Sequence, residues 1–221
     1  MNAQDDAPRQ GRKIEQVLQG AREVFLRDGF EGASVDAIAR EAGVSKATLY
    51  SYFADKRMLF MEVGRAECAG QSGRLLCSID LDAPVREVLG EVGRRMLGFM
   101  CSDLGQRIFR MCVAESERFP ELGRRFFETG PLVVRARVAE YLEHAAARGE
   151  LRAIEDHGFA AEQFFELCKV DLFPRLMFGV GGAPNEAERA RVVAEAVDMF
   201  LARYGAEVGA RRPAAEAQAA E

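Results

Sequence analysis

The run SVDAIAREAGVSKATLYSYFADKRMLF, from Ser34 to Phe60, is punctuated by helix-starting residues at short intervals. Ser34, Ser45 and Asp55 each carry a side-chain oxygen suited to an N-cap. Gly43 permits a turn between the first two helices. The spacing predicts a short helix over Val35–Ala42, a second from Ser45 to about Tyr52, and a third that begins Lys56-Arg57-Met58-Leu59-Phe60 and runs into the seventies. Upstream, Ile14, Val17, Leu18, Ala21, Val24 and Phe25 share one face of a helix over Arg12–Asp28, which Gly29 should end. Ile38, Ala39, Val44, Leu49 and Phe53 then belong to the core of a small three-helix unit.

The rest of the chain also reads as helix. No segment keeps the period-two alternation that strands require. Pro84 opens a helix to about Ser102, Gly105–Arg118 forms another, and Pro120 starts the next. Gly130-Pro131 should break that helix before it resumes to about Arg148. Residues 158–178 and 185–205 make two more, separated by GVGGAPN. The fold class is therefore all-α. Four parts are expected: a flexible leader (1–11), a three-helix head (12–54), a larger helical domain (55–206) and an Ala/Glu-rich disordered tail (207–221).

Two helices joined through Gly43 match a helix-turn-helix, whose second helix enters the major groove by its N-terminal residues. Those residues are Ser45, Lys46, Ala47 and Thr48. Lys46 can donate to guanine or phosphate, Thr48 offers a hydroxyl and a methyl, and Ala47 allows close approach. Tyr50 and Tyr52 carry hydroxyls that can reach phosphates, and Lys56 adds a charge at a helix N-terminus. The pattern alone equally suits an ordinary helical pair, with one of the tyrosines packing inward. The net charge of −5 argues at first against a polyanion. Residues 1–60, however, hold nine basic and nine acidic side chains, so the excess acid lies beyond them. Three of the four lysines, Lys13, Lys46 and Lys56, sit in this first quarter.

Gly11–Phe60 resembles the N-terminal domain of the TetR family of bacterial transcription regulators. The resemblance rests on Phe25 leading to Gly29-Phe30, then Ser34-Val35-x-x-Ile38-Ala39, Ala42-Gly43-Val44-Ser45, Thr48-Leu49-Tyr50-x-Tyr52-Phe53 and Lys56-x-x-Leu59-Phe60. Ala47, where many members carry glycine, and Tyr52, where histidine is common, depart from it. The resemblance implies a homodimer that sets two recognition helices into successive major grooves of a palindromic operator. It makes Ser34, Tyr50, Tyr52 and Lys56 mainly phosphate contacts and places Lys46, Ala47 and Thr48 nearest the bases. The segment Arg9–Lys13 either reaches the backbone or minor groove or is a solvated leader. More loosely, IFRMCVAESERFPELGRRFFETGP, YLEHAAARGELR and AAEQFFELCKVDLFPRLMFG resemble the C-terminal domain of the AefR/AcrR-like branch, which implies ligand binding and dimerisation.

The residues of the large domain suit such a role. Phe99, Met100, Phe109, Met111, Cys112, Phe126 and Phe127 are candidates to line an effector pocket, with Phe164, Phe165 and Cys168 from the later helices. Methionine adapts to loosely specified ligands. Glu115, Asp171 and Arg175 are the candidate polar groups that would orient the ligand. Ordinary core packing is the alternative for each apolar member. The expected dimer face draws on Phe164, Leu167 and Asp171 of one helix and Val193, Ala196, Val197, Phe200 and Leu201 of the other, which could make a four-helix interface. The expected effector is a small apolar or aromatic molecule, and release of the operator makes repression the expected sense. A ligand-independent DNA-binding or scaffold dimer is the alternative.

Catalysis finds little support: the chain has no Gly-rich phosphate loop, no G-x-S-x-G and no metal-ligand cluster. No cofactor and no metal are expected. Five scattered cysteines without C-x-x-C read as free thiols in a reducing cytoplasm. The N-terminus lacks an apolar signal segment, and no apolar run approaches membrane-spanning length, so no membrane partner is expected.

Overall fold

The computed structural model describes the backbone of residues 6–206 and most side chains from residue 11 onward. The expected tail (207–221), the first part of the expected leader (1–5) and the side chains of Arg9, Cys68 and Cys77 lie outside the described residues. The all-α expectation holds. Among the described residues the only extended pairing is an isolated antiparallel bridge between Leu151 and Gly205. No helix among them is long and apolar enough to cross a membrane. The residues divide into two compact units.

The first unit gathers residues 6–78, 98–134 and 173–183. Its helices are α1 (Asp6–Gly32), α2 (Val35–Glu41), α3 (Lys46–Tyr52) and α4 (Lys56–Ser78), followed by α6 (Asp103–Glu115), α7 (Pro120–Thr129) and α10 (Leu172–Phe178). α1 starts at Asp6, inside the stretch expected as a leader. Its regular course stops at Gly29 (φ 72°, ψ 176°), and one short turn follows. That backbone is open in practice only to glycine. One apolar cluster runs through the unit. It takes Val17, Val24 and Phe25 from α1, Ile38 and Leu49 from α2 and α3, Leu59, Phe60 and Val63 from α4, and Leu104, Ile108 and Cys112 from α6. Each large member, once buried, stabilises by about 1.5–3 kcal/mol. Phe25, Phe30 and Phe60 meet with centroids 4.9–6.0 Å apart, a separation at which aromatic pairs attract.

The second unit holds residues 79–97, 135–172 and 184–206. It contains most of α5 (Val85–Met100) and α8 (Pro131–Ala147), with α9 (His157–Lys169) and α11 (Glu186–Tyr204). The connection after α8 ties two helix ends together. Glu150 accepts from the Val85 N–H at the start of α5 (2.9 Å), and Arg152 N donates to Tyr204 O at the end of α11 (2.8 Å). Tyr141 is fully buried and donates its hydroxyl to Ala83 O (2.6 Å). Desolvation pushes its phenol up to about 12.

Two expectations for this region need correction. Residues 158–178 do not form one helix: α9 ends at Lys169, Asp171 takes φ 63°, and α10 begins at Leu172. The cause is Pro174. Its ring would clash with the carbonyl of Val170 in a continuous helix, whereas in the first turn of α10 its missing N–H costs nothing. The expected dimer face is largely intramolecular. Phe164, Val193, Ala196, Val197 and Phe200 are at most 3% exposed within the chain. Phe164 packs on Phe200 edge to face at 5.8 Å. α9 and α11 pack on each other and Val193 lies against Gly93 of α5, so these residues leave no surface for a partner. Leu167, Asp171 and Leu201 keep exposed surface. The outward residues are instead Phe159, Val170 and Met199, each 58% exposed.

Replacing Gly29 with Ala is expected to destabilise the protein by about 1–3 kcal/mol, because φ 72° with ψ 176° is closed to an L side chain. The new Cβ would also meet the Arg107 guanidinium. A lower urea midpoint is the expected reading; an unchanged midpoint would mean the turn re-forms without strain.

Candidate nucleic-acid interface

The α2–turn–α3 segment is built as its caps dictate. Ser34 Oγ accepts from the Ala37 N–H (3.1 Å) at the start of α2. Ser45 Oγ accepts from the Thr48 N–H (3.0 Å) at the start of α3 and shares a hydrogen bond with Thr48 Oγ1 (2.8 Å). Each such cap is worth roughly 0.5–2 kcal/mol. Between them Gly43 takes φ 64°, and Val44 N donates to Ala39 O (3.0 Å) to close the turn. Ile38 and Leu49 are fully buried. They fix the angle of α3, so its opposite face is exposed.

The expected DNA-facing residues separate into three groups. Ser34, Ser45, Lys46, Ala47 and Tyr50 are exposed. Thr48 and Tyr52 are half-buried, and Tyr52 packs against the apolar cluster. Lys56 is differently placed. Its ammonium donates to Phe30 O (2.7 Å) and Ala33 O (3.0 Å), with Glu31 O at 3.5 Å, and lies 4.5 Å from the centre of the Phe30 ring. These carbonyls are the unsatisfied acceptors at the end of α1. The Lys56 charge is thus already committed to the protein's own backbone, contrary to its expected role as a phosphate anchor. Asp55 caps α4 as expected, accepting from the Met58 N–H (2.8 Å).

Lys46 is not free either. Its Nζ lies 2.6 Å from Asp36 Oδ1, across the turn on α2. The carboxylate raises the lysine's affinity for its proton, first through their hydrogen bond and then through charge attraction. Asp36 was not singled out from sequence. Lys46 follows it by ten residues, a spacing with no local meaning, and only the turn brings the two side chains together.

The expected pocket residues do not line one space. Phe99, Met111 and Phe126 pack against the apolar cluster of the first unit, and Cys112 lies within it. Burial pushes the Cys112 thiol up to about 12. Phe109 meets Phe173 edge to face at 5.0 Å. Phe127 is half exposed. Met100 and Arg175 are half-buried. Glu115 forms an ion pair with Arg57 (2.7 Å). Phe164, Phe165 and Cys168 are core of the second unit, where Asp171 is exposed. A small cavity of about 50 Å³ does lie between α4 and α7, lined by Met58, Met61, Glu62, Arg65, Arg125 and Phe126. Of these, only Phe126 was anticipated. The i, i+3, i+4, i+7 spacing of Met58, Met61, Glu62 and Arg65 is the signal that points to one face of α4.

Residues 17–63 match the model described as bacterial regulatory proteins, tetR family. Residues 87–206 match the AefR-like transcriptional repressor C-terminal domain. The transcriptional repressor AcnR of Corynebacterium glutamicum is 34% identical over 67 residues, which are 30% of this chain and 35% of AcnR. The chain thus spans about a third of the length of that curated relative. Among solved structures, a protein of Mesorhizobium loti described as a TetR-family transcriptional regulator is 28% identical. It superposes with a TM-score of 0.73 over 89% of this chain and 98% of that one. The flavonoid-responsive regulator FrrA is 35% identical, with a TM-score of 0.66 over 88% of this chain and 98% of its own. With both of its parts matched within one family, the chain belongs to the TetR family of transcriptional regulators and carries the AefR-like C-terminal domain.

Proposed function

We propose that the protein is a ligand-responsive repressor that binds a palindromic operator as a homodimer. One observation carries the reading: α3 is capped by Ser45, braced by buried Leu49, and presents Lys46, Ala47 and Tyr50 to solvent. In this reading Lys46, Ala47 and Thr48 face base edges. Ser34, Tyr50 and Tyr52 face phosphates, where hydroxyl donors position without reading sequence. Lys56 holds the α1–α4 junction and is not counted among the phosphate contacts. The outward faces of α9 and α11, with Phe159 and Met199, are the proposed dimer surface. The two α3 helices must then sit about 34–36 Å apart, or a multiple of that, to enter successive turns of one face of the duplex.

The proposed effector is a small apolar or aromatic molecule. The cavity between α4 and α7, where Met58, Met61 and Phe126 lie beside Glu62, Arg65 and Arg125, has an apolar part that supports this, as does the flavonoid response in FrrA's name. Pockets for small ligands measure about 300–1,000 Å³, so the effector acts by favouring a state in which this space is open. A swing from 1:99 to 99:1 requires about 5.5 kcal/mol of preference for that state.

The function is tested by selecting duplexes from a random pool with the full-length protein. Selective binding should weaken as salt rises, with a log–log slope near −0.9 per phosphate contact. A monomer in light scattering, or affinity indifferent to salt, would contradict the operator model. Changing Thr48 to Ala should alter preference among sequences, with a loss of about 1–3 kcal/mol at the favoured base; an equal loss on every duplex would remove it from the reading surface. Replacing Lys56 with Met should lower stability by about 1.5–3 kcal/mol, the value of hydrogen bonds made by a charged group. Affinity should fall for all duplexes while the salt slope stays constant. A slope shallower by about 0.9 would return Lys56 to phosphate contact.

A further inference from the structure

Lys46 opens α3 and Asp36 is the second residue of α2, and their charged atoms lie 2.6 Å apart. The lysine side chain is 54% exposed and that of the aspartate 71%. A pair so open adds about 0–1 kcal/mol to folding. Its consequence is electrostatic: the cation nearest the proposed base-reading end of α3 is delivered together with an anion.

The neighbouring charges make this matter. The side chains of residues 1–60 balance, nine basic against nine acidic. Arg27 is held by Asp28 (2.9 Å) and Glu41 (3.3 Å), Arg22 by Glu67 and Arg57 by Glu115. Lys56 is on backbone carbonyls. Removing one acid from the reading face therefore raises its charge by one, in a part of the chain whose side chains sum to zero.

A duplex offers Lys46 two kinds of acceptor. Phosphates lie along every sequence and carry no information. Base-edge acceptors, such as guanine O6 and N7, exist only at particular sites. A lysine already neutralised by Asp36 gains little from a phosphate, since no net charge is delivered and the carboxylate is brought towards the polyanion. A base edge in register with α3 offers a directed acceptor at a place where phosphates are absent. We propose that Asp36 is a specificity-determining residue. It withholds Lys46 from phosphate, so that the lysine contributes chiefly where a base acceptor replaces or shares the carboxylate. The proposal rests on the reading of α3 as the DNA-reading helix.

The test compares the full-length protein with its Asp36→Asn and Asp36→Glu variants. The probes are a duplex selected from a random pool by the unaltered protein and a scrambled duplex of equal composition, titrated by fluorescence anisotropy across 50–200 mM salt. In Asp36→Asn the released Lys46 should act as one added phosphate contact. The log–log salt slope on the scrambled duplex should steepen by about 0.9, which corresponds to up to about eightfold tighter binding at 0.1 M than extrapolation from 1 M gives for the unaltered protein. The selected duplex should gain less, so the ratio of the two affinities should fall. Asp36→Glu, which can re-form the pair, should keep the original slope and ratio. Repeating Asp36→Asn in a Lys46→Met background should leave the slope unchanged, which ties the effect to the pair.

Three results would overturn the proposal. One is an unchanged slope in Asp36→Asn with the fold intact by thermal melting. Another is an equal gain on both duplexes. The third is the same gain without Lys46, which would make Asp36 a simple repulsive charge. If the unaltered protein selects no sequence from the pool, the reading of α3 itself fails, and that outcome is separate from these.

Discussion

The structure of the first unit depends on how the end of α1 meets the start of α4. Gly29 turns the chain through a backbone reserved for glycine. The turn brings Phe30 against Phe25 and Phe60, and the exposed carbonyls that follow are closed by the Lys56 ammonium. None of these parts works alone. Without the turn, Phe30 and its carbonyls would not face α4, and without Lys56 those carbonyls would be half-buried without donors, at about 1–3 kcal/mol each. Leu59, Phe60, Met61 and Val63 continue the same cluster along α4, and Leu104, Ile108 and Cys112 extend it into α6. The helix-turn-helix therefore has no core separate from α4 and α6. Close-packed interiors resist gradual deformation, so displacement of α4 at this end carries α1, α2 and α3 with it.

The same junction limits what charge can do. A DNA reader with balanced side chains cannot rely on a strong positive field. Most of its cations here are engaged by the protein itself: Arg22, Arg27 and Arg57 by carboxylates, Lys56 by carbonyls, Lys46 by Asp36. Such a surface would gain little from phosphates alone. It must then gain affinity from contacts that replace existing partners, and those are the contacts that depend on sequence. Low net charge in this part of the chain is thus compatible with DNA recognition and favours discrimination over raw affinity.

What could be read from the sequence follows the range of the interaction involved. The caps at Ser34, Ser45 and Asp55 act over three residues, and each is found where the residue pattern puts it. Gly29 and Gly43 likewise carry their own conformational signal. The break at Asp171 was also local, written in Pro174, but the strong apolar periodicity on both sides masked it. The rest depends on tertiary partners. Periodicity reveals that α9 and α11 have apolar faces without saying what covers them, and these two helices cover each other. The same holds for Phe99, Met111 and Cys112, which the large domain's composition suggested as pocket and the fold uses as core. Lys56 and Asp36 were hardest of all. A charged residue at a helix start suits phosphate, a carbonyl or a neighbouring charge equally well until the chain folds around it.

If the proposed effector enters between α4 and α7, the cavity there fixes where its binding energy would have to go. It holds about 50 Å³, so a ligand of ordinary size must separate the helices that enclose it. The two walls are held unequally. α4 lies in the main cluster through Leu59, Phe60, Met61 and Val63. α7 lacks a side-chain N-cap hydrogen bond, and none of its described side chains is buried. A ligand that merely occupies space would displace α7 first, and the head would not respond. To move the head, it must bind more tightly when α4 is displaced than when it is not, since only differential affinity shifts an equilibrium. The groups on α4 that reach the cavity are Met58, Met61, Glu62 and Arg65, with Arg65 paired to Glu62 at 2.5 Å. Met58 stands two residues beyond Lys56, on the turn that holds the end of α1. For the proposed effector, selectivity would then rest on what a ligand does to the exposed edge of that turn, and mere fit to the cavity would not distinguish an inducer from a silent binder.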